Sequence, residues 1–198
     1  DIDGTIWDRH NFIPESTREA ISRLRSNGHL AFINTGRTRG YITNPDLLGL
    51  GFDGIVSGCG TMVEYDGKIS FLHEIDNELI ALAITTMRNF GMKPIIEGKE
   101  FLYMEESDFA EDPYGRKLMV ELGHRRQSID AHWMAWGGSK MSCEMDGCDY
   151  EKCFDLLRNH YTPLVHNSHV AEIVPIGFSK GTGIEKACQL VNIPIENT

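Results

Sequence analysis

The sequence predicts an α/β protein interrupted by an α+β insertion, and three observations carry that expectation. Over residues 1–58, short apolar runs alternate with helix-forming stretches, the order of a parallel crossover. From residue 59 to 170 the pattern turns to hairpins, helices and strands of antiparallel character, which reads as a separate inserted domain. From residue 171 to 198 the chain returns to the first unit and ends on a helix.

In order, Ile13-Pro14-Glu15-Ser16-Thr17 opens a helix, with acidic and hydroxyl residues at its positive end. Ala20, Ile21 and Leu24 fall at helical spacing, and Asn27-Gly28 is a stop. His29 to Asn34 is a short apolar strand that runs into Thr35-Gly36-Arg37. A short helix from Thr38 to Leu48 and a strand at Gly54-Ile55-Val56-Ser57 continue the alternation. Beyond Gly58-Cys59-Gly60, two strands at Thr61–Tyr65 and Lys68–Phe71 flank Asp66-Gly67, a hairpin signal. A helix from Asn77 to Phe90 places Leu79, Ile80, Ala83, Ile84 and Met87 on one face. Pro94-Ile95-Ile96 and Phe101 to Met104 bracket Gly98 as a second hairpin, and residues 105 to 138 show no clear period. Ser139 to Met145 reads as a strand, Tyr150 to His160 as a helix, Val170 to Val174 as a strand and Lys180 to Asn192 as a helix.

With 198 residues and 41% hydrophobic content, the chain can bury a substantial core. A formal charge of −10 argues against nucleic acid as partner, because backbone binding needs a basic face. No stretch approaches the roughly 20 apolar residues of a membrane span, and no apolar signal segment is present. The five cysteines (Cys59, Cys143, Cys148, Cys153 and Cys188) include no C-x-x-C pair. The spacings of Cys143, Cys148 and Cys153 match no common zinc site, so free thiols in a reducing cytoplasm are expected.

Asp1-Ile2-Asp3-Gly4-Thr5 holds most of the chemical information. With each fixed letter at about a twentieth of residues, D-x-D-G-T arises by chance on the order of once in 100,000 positions. Its bland reading is an Asp-Gly surface turn after a strand. Its chemical reading starts from the resistance of phosphate esters to water, which a carboxylate nucleophile overcomes by splitting hydrolysis into two steps. Asp1 is the candidate nucleophile. Residues two apart share a face only in extended chain, so Asp3 is expected at a strand end or in the turn just beyond. There it can protonate the leaving oxygen and then deprotonate water. Gly4 lets the backbone leave the strand, and Thr5 can hydrogen-bond within the turn. Two carboxylates repel a phosphate dianion, so a hard cation is needed. Mg²⁺, held by Asp1 and Asp3, is the natural choice.

The motif resembles the first motif of the haloacid dehalogenase superfamily, which is mostly Mg²⁺-dependent phosphatases. Thr35 falls where the second motif places a Thr or Ser, able with nearby backbone N–H groups to hold phosphoryl oxygens. Arg37, in Thr35-Gly36-Arg37, matches the branch with a large cap inserted after motif two, the Cof-type phosphatases. Gly36 and Arg37 are therefore substrate-binding candidates, the guanidinium as a phosphate fork. Lys180, in Gly177-Phe178-Ser179-Lys180-Gly181, resembles the third motif, a lysine at a helix start that offsets the nucleophile's charge. Cys59 departs from the Asn-Gly that many relatives carry there, and reads as a small buried residue in a hinge. The acidic pair of a fourth motif does not follow Lys180; Glu185 and Glu196 are the only acids there. The motif also stands at residue 1 without its strand, so truncation at both ends is expected.

The resemblance implies a doubly wound parallel-sheet, Rossmannoid core over 1–58 and 171–198. It places the active site at the sheet's carboxyl edge, with an α+β cap over 59–170 that excludes water and selects the substrate. The implied partner is a small phosphorylated metabolite: a sugar phosphate, nucleotide or phosphorylated cofactor. A phosphomutase or phosphotransferase would use the same residues, and a non-catalytic phosphometabolite-binding protein is the rival of another class. Three further stretches have two readings each. His132-Trp133-Met134-Ala135-Trp136 can line a pocket or pack the cap. His166-Asn167-Ser168-His169 can bind a metal or form a loop. Glu105, Glu106, Asp108, Glu111 and Asp112 can attract a cation or form a solvated face.

Overall fold

The computed structural model describes residues 1–198, apart from the side chains of residues 113 and 114. An opening turn precedes helix α1 (Glu15–Ser26) and strand β1 (Phe32–Asn34). A one-turn helix α2 (Pro45–Leu48), strand β2 (Gly54–Ser57) and a hairpin of β3 (Met62–Tyr65) and β4 (Lys68–Leu72) follow. Next come α3 (Asn77–Asn89), β5 (Lys93–Gly98) and β6 (Leu102–Tyr103). Helices α4 (Glu106–Phe109) and α5 (Pro113–Leu122) lead to the short β7 (Arg126–Gln127). The order ends with β8 (Gly138–Glu144), α6 (Tyr150–Leu157), β9 (Tyr161–Val165), β10 (Val170–Pro175) and α7 (Lys180–Val191).

Two compact units result. One holds Asp1–Arg37, Ile42–Leu72 and Phe178–Thr198; the other holds Thr38–Tyr41 and His73–Gly177. These limits differ from an insertion over 59–170, and strand pairing is the reason. β3 pairs with β2 from Gly54↔Tyr65 to Ser57↔Met62, which keeps the hairpin, and Gly58-Cys59-Gly60 before it, in the first unit. β10 lies between β8 and β9 in the second unit's sheet, so Val170–Pro175 is part of that sheet.

The first unit's sheet runs β1-β2-β3-β4. β1 and β2 are parallel, and the other two pairs are antiparallel. The Asp66-Gly67 turn has φ of 50° and 69°, the paired left-handed residues of a type I′ hairpin. Apolar side chains cover both faces, as alternation along a strand requires. Ile33 and Ile55 join Ile2, Ile6, Trp7, Ile13, Ile42 and Leu47; Val56 and Val63 meet Ala187 of α7. The helix expected over 38–48 is instead a 3₁₀ turn at Arg39–Tyr41 followed by α2. Pro45 lacks an N–H and holds Asn44 extended, at φ −65° and ψ 118°. The Asn44 side chain then caps the restart by accepting from Leu47 N–H at 3.0 Å.

The second unit's sheet runs β7-β6-β5-β8-β10-β9 and is antiparallel except at β6/β7. Ile96 joins the cluster made with Ile80, Ile84 and Met87 of α3 and Phe154 and Leu157 of α6. Its neighbour Ile95 faces the opposite way, toward Phe109, Leu118 and Leu122 of α4 and α5. Lys140 is 2% exposed. Its ammonium lies 2.6 Å from Glu172 Oε1 and 3.2 Å from Glu97 Oε1, so one cation ties β8 to both neighbouring strands. β9 escaped the pattern because Pro163 interrupts a strand-like run. It is tolerated because β9 is an edge strand.

Candidate active site

Residues 1–3 form no strand; Asp3 makes a single bridge to Trp7. A turn does the placing. Ile2 is fully buried, and its carbonyl accepts from Thr5, Ile6 and Trp7 N–H groups at 3.2, 3.0 and 3.4 Å. Gly4 supports this turn at φ +70°, where a Cβ would be strained. Burying Ile2 leaves the flanking Asp1 and Asp3 at the surface.

Each carboxylate has its own cation. Asp1 Oδ1 accepts from Ile2 N–H at 2.9 Å, and Oδ2 lies 2.9 Å from Lys180 Nζ. Arg37 donates to Asp3 through Nε at 2.9 Å and Nη2 at 2.8 Å, a bidentate fork. Burial pushes the Asp3 carboxyl up. The hydrogen bonds and charge of Arg37, the Trp7 indole and the charge of Lys180 outweigh it and hold the group below the ordinary carboxylate value.

Thr35 stands at the carboxyl end of β1. Its N–H donates to Val56 O at 2.9 Å and its carbonyl accepts from Cys59 N–H at 3.1 Å. The side chain is 1% exposed, and its hydroxyl oxygen accepts from Arg37 N–H at 3.2 Å. Thr35 thereby shapes the turn that carries Gly36 and Arg37, both half-buried.

Lys180 is the first residue of α7, behind a capping box in which Ser179 and Thr182 exchange side-chain and backbone bonds at 3.1 and 2.9 Å. A cation there opposes the helix dipole, and Asp1 offsets it. Two glycines set the helix's position. A Cβ on Gly60, already at φ +86°, would meet the Ser179 carbonyl, and one on Gly183 would meet Val56 and Gly60. Asn34 Nδ2 donates to the Lys180 carbonyl at 3.1 Å, tying β1 to the same point.

All six sequence candidates (Asp1, Asp3, Thr35, Gly36, Arg37 and Lys180) thus lie in the first unit. Asp1 pairs with Lys180, Asp3 with Arg37, and Thr35 bonds the Arg37 backbone. Sequence reasoning missed Trp7 and Asn34. Trp7 Nε1 donates to Asp3 Oδ1 at 3.1 Å, a contact made by the turn at residues 4–6 and carried by no motif. Cys59 is buried with φ 55° and ψ 40°, inside the first unit rather than at a junction.

The remaining stretches have structural partners. Trp136 is buried and donates to Ile129 O at 3.0 Å, while Trp133 is 46% exposed and packs edge-on against it. Asn167 Oδ1 accepts from His169 and Val170 N–H groups, making a loop of 166–169. Glu105 accepts from Ser128 and Asp130, Glu106 pairs with Arg126, and Asp112 caps α5. Among the described residues, no group of three or more His, Cys, Asp or Glu side chains is arranged to hold a metal ion. Asp1 and Asp3 offer carboxylate and carbonyl oxygens only. That hard donor set fits Mg²⁺, which takes one or two carboxylates and completes its shell with water and phosphate oxygens.

Comparison with known proteins completes the site's context. The sequence profile described as haloacid dehalogenase-like hydrolase matches residues 1–198. "Putative phosphatase YkrA" of Bacillus subtilis (strain 168) is 35% identical over 206 residues, covering 100% of this chain and 75% of that protein. A haloacid dehalogenase-like hydrolase from B. subtilis has a TM-score of 0.78 at 15% identity, over 99% of this chain and 79% of that one. The HAD subclass IIB sugar phosphatase BT4131 has a TM-score of 0.77 at 19% identity, over 99% of this chain and 76% of that one. At these identities the solved structures speak to the fold alone. No helix among the described residues is long and apolar enough to cross a membrane.

Proposed function

The chain belongs to the haloacid dehalogenase-like hydrolase family, and we propose that it is a phosphatase that hydrolyses small phosphate monoesters through an aspartyl phosphate. The observation that carries this reading is the pairing of Asp1 with Lys180 at 2.9 Å, with Asp3, in the fork of Arg37, close enough to feel the lysine's charge. Asp1 attacks phosphorus and releases the alcohol; water then cleaves the acyl phosphate. Asp3, ionised in the free protein, takes up a proton from solvent as the phosphate's negative charge settles beside it, gives that proton to the departing oxygen and takes one back from the attacking water. Lys180 and the Thr35 hydroxyl stabilise the equatorial oxygens. The Gly36 backbone holds the substrate phosphate, and Arg37, whose Nε and Nη2 face Asp3, adds its positive charge at the same point. A carboxylate oxygen of Asp1 and the carbonyl of Asp3 would hold Mg²⁺, which would supply the positive charge that offsets two carboxylates facing a phosphate dianion. The second unit acts as the cap that selects among phosphorylated metabolites.

The full-length protein is expected to release phosphate from p-nitrophenyl phosphate with Mg²⁺ and to stop when EDTA removes the metal. Asp1→Asn is expected to lower kcat by at least ~1,000-fold with its circular dichroism unchanged. Turnover that survives this substitution removes Asp1 as nucleophile. Phosphate release without an acceptor sugar separates hydrolysis from a mutase reaction.

A further inference from the structure

Trp7 belongs to none of the motifs, yet it touches both members of the Asp3–Arg37 pair. Its ring is 4% exposed and packed with Ile2, Ile6, Ile13 and Ile33, so the core fixes the direction of its N–H. That N–H donates to Asp3 Oδ1 at 3.1 Å. The guanidinium carbon of Arg37 stands 5.4 Å from the centroid of the Trp7 ring, within cation–π range. The same guanidinium reaches Oδ1 and Oδ2 of Asp3 at 2.8 and 2.9 Å. The three side chains close a triangle: indole to carboxylate, carboxylate to guanidinium, guanidinium to π face. A fork alone lets carboxylate and arginine move together on their flexible stems. A donor rooted in the core removes that freedom, and a misplacement of about 1 Å at a reacting group costs on the order of a hundredfold in rate.

We propose that Trp7 is a positioning residue whose indole N–H and ring face hold Asp3 and Arg37 where the Asp3 carboxyl reaches the leaving oxygen. This rests on the acid/base reading of Asp3. Trp7→Phe keeps an aromatic ring and removes the donor. With an alkyl phosphate, whose leaving oxygen must be protonated, the full-length variant is expected to lose about tenfold in kcat/KM, which covers only the steps up to release of the alcohol. With p-nitrophenyl phosphate, whose leaving group departs without a proton, the loss is expected to stay below about threefold. Equal losses on the two esters overturn the proposal, because a purely structural defect does not discriminate between leaving groups. Failure of the underlying reading has a different sign: Asp3→Asn then lowers kcat/KM equally on the two esters. Should Trp7→Phe not fold, the indole N–H resonance of Trp7 is compared between the ¹⁵N-labelled wild type and Asp3→Ala. A marked upfield shift supports the contact, and an unmoved resonance overturns it.

Discussion

Asp3 receives three hydrogen bonds on two oxygens, two from Arg37 and one from Trp7. They favour the ionised form, so its folded pKa lies below the unfolded value. The stabilisation from this pair is therefore present above the ordinary carboxylate range and is lost as pH falls through the folded value. Solvent screening keeps it modest, since the Asp3 side chain is 54% exposed. The difference in Tm between wild type and Asp3→Asn is expected to be greatest near pH 7 and to shrink as pH falls below the ordinary carboxylate value. Scanning fluorimetry across that range checks it, and a gap independent of pH excludes the ion pair as its source. At this scale the charged groups were legible, because D-x-D-G-T, Thr-Gly-Arg and the helix-start lysine are unusual placements for such residues. Trp7 was not legible. A tryptophan among isoleucines reads as core, and which acceptor its N–H finds depends on a turn that only the folded chain reveals.

Helix α7 matters for where it begins. Lys180-Gly181-Thr182-Gly183 is a weak helical start by propensity, and the structure shows why Gly183 is there: a Cβ would come within 2.4 Å of Val56 Cγ1 and 2.9 Å of Gly60 Cα. Gly183→Ala is expected to destabilise the protein by about 1–3 kcal/mol through overpacking and to lower kcat by shifting Lys180 from Asp1. Gly181→Ala is the control. A Cβ there meets only Ser179 Oγ at 3.5 Å, so that variant is expected to be neutral or more stable by up to about 1 kcal/mol. Urea unfolding of both, with kcat measured in parallel, decides it. Matching losses in the two variants contradict a role for close approach. Element identities were largely readable from period and turn chemistry: α1, β2, the I′ hairpin, α3 and α7 all lie where apolar spacing and Gly or Asn stops put them. The helix over 38–48 failed because Pro45 outweighs apolar spacing, and residues 105–138 resisted because, α5 apart, their helices and strands are only two to four residues long.

Across the molecule, two sheets with separate cores organise the chain. The second is threaded by Lys140, buried between the buried Glu97 and the half-buried Glu172. Removing the cation leaves the two carboxylates facing each other, with Thr38 Oγ1 3.4 Å from Glu97 and His166 Nε2 3.4 Å from Glu172. Lys140→Ala is expected to destabilise the protein by about 3–5 kcal/mol, and Lys140→Met, which fills the space without restoring the charge, is expected to be no better than partly rescued. Denaturant unfolding reads both, and a loss under about 1 kcal/mol for Lys140→Ala means the charges reach water. Nothing in Gly138-Ser139-Lys140-Met141 announces this lysine as buried. It sits on a strand of alternating character, and its partners come from strands far away in sequence.

Local order along the chain determined the candidate charged residues and most element types, because motif spacing, helical period and turn residues act over a few neighbours. Strand partnership decided the rest. Which sheet the hairpin and β10 join, how closely α7 approaches β2, and which carboxylate each cation finds all depend on contacts between distant segments. Such contacts are set by backbone hydrogen bonding and by packing without voids, and neither has a signature in a single stretch of sequence.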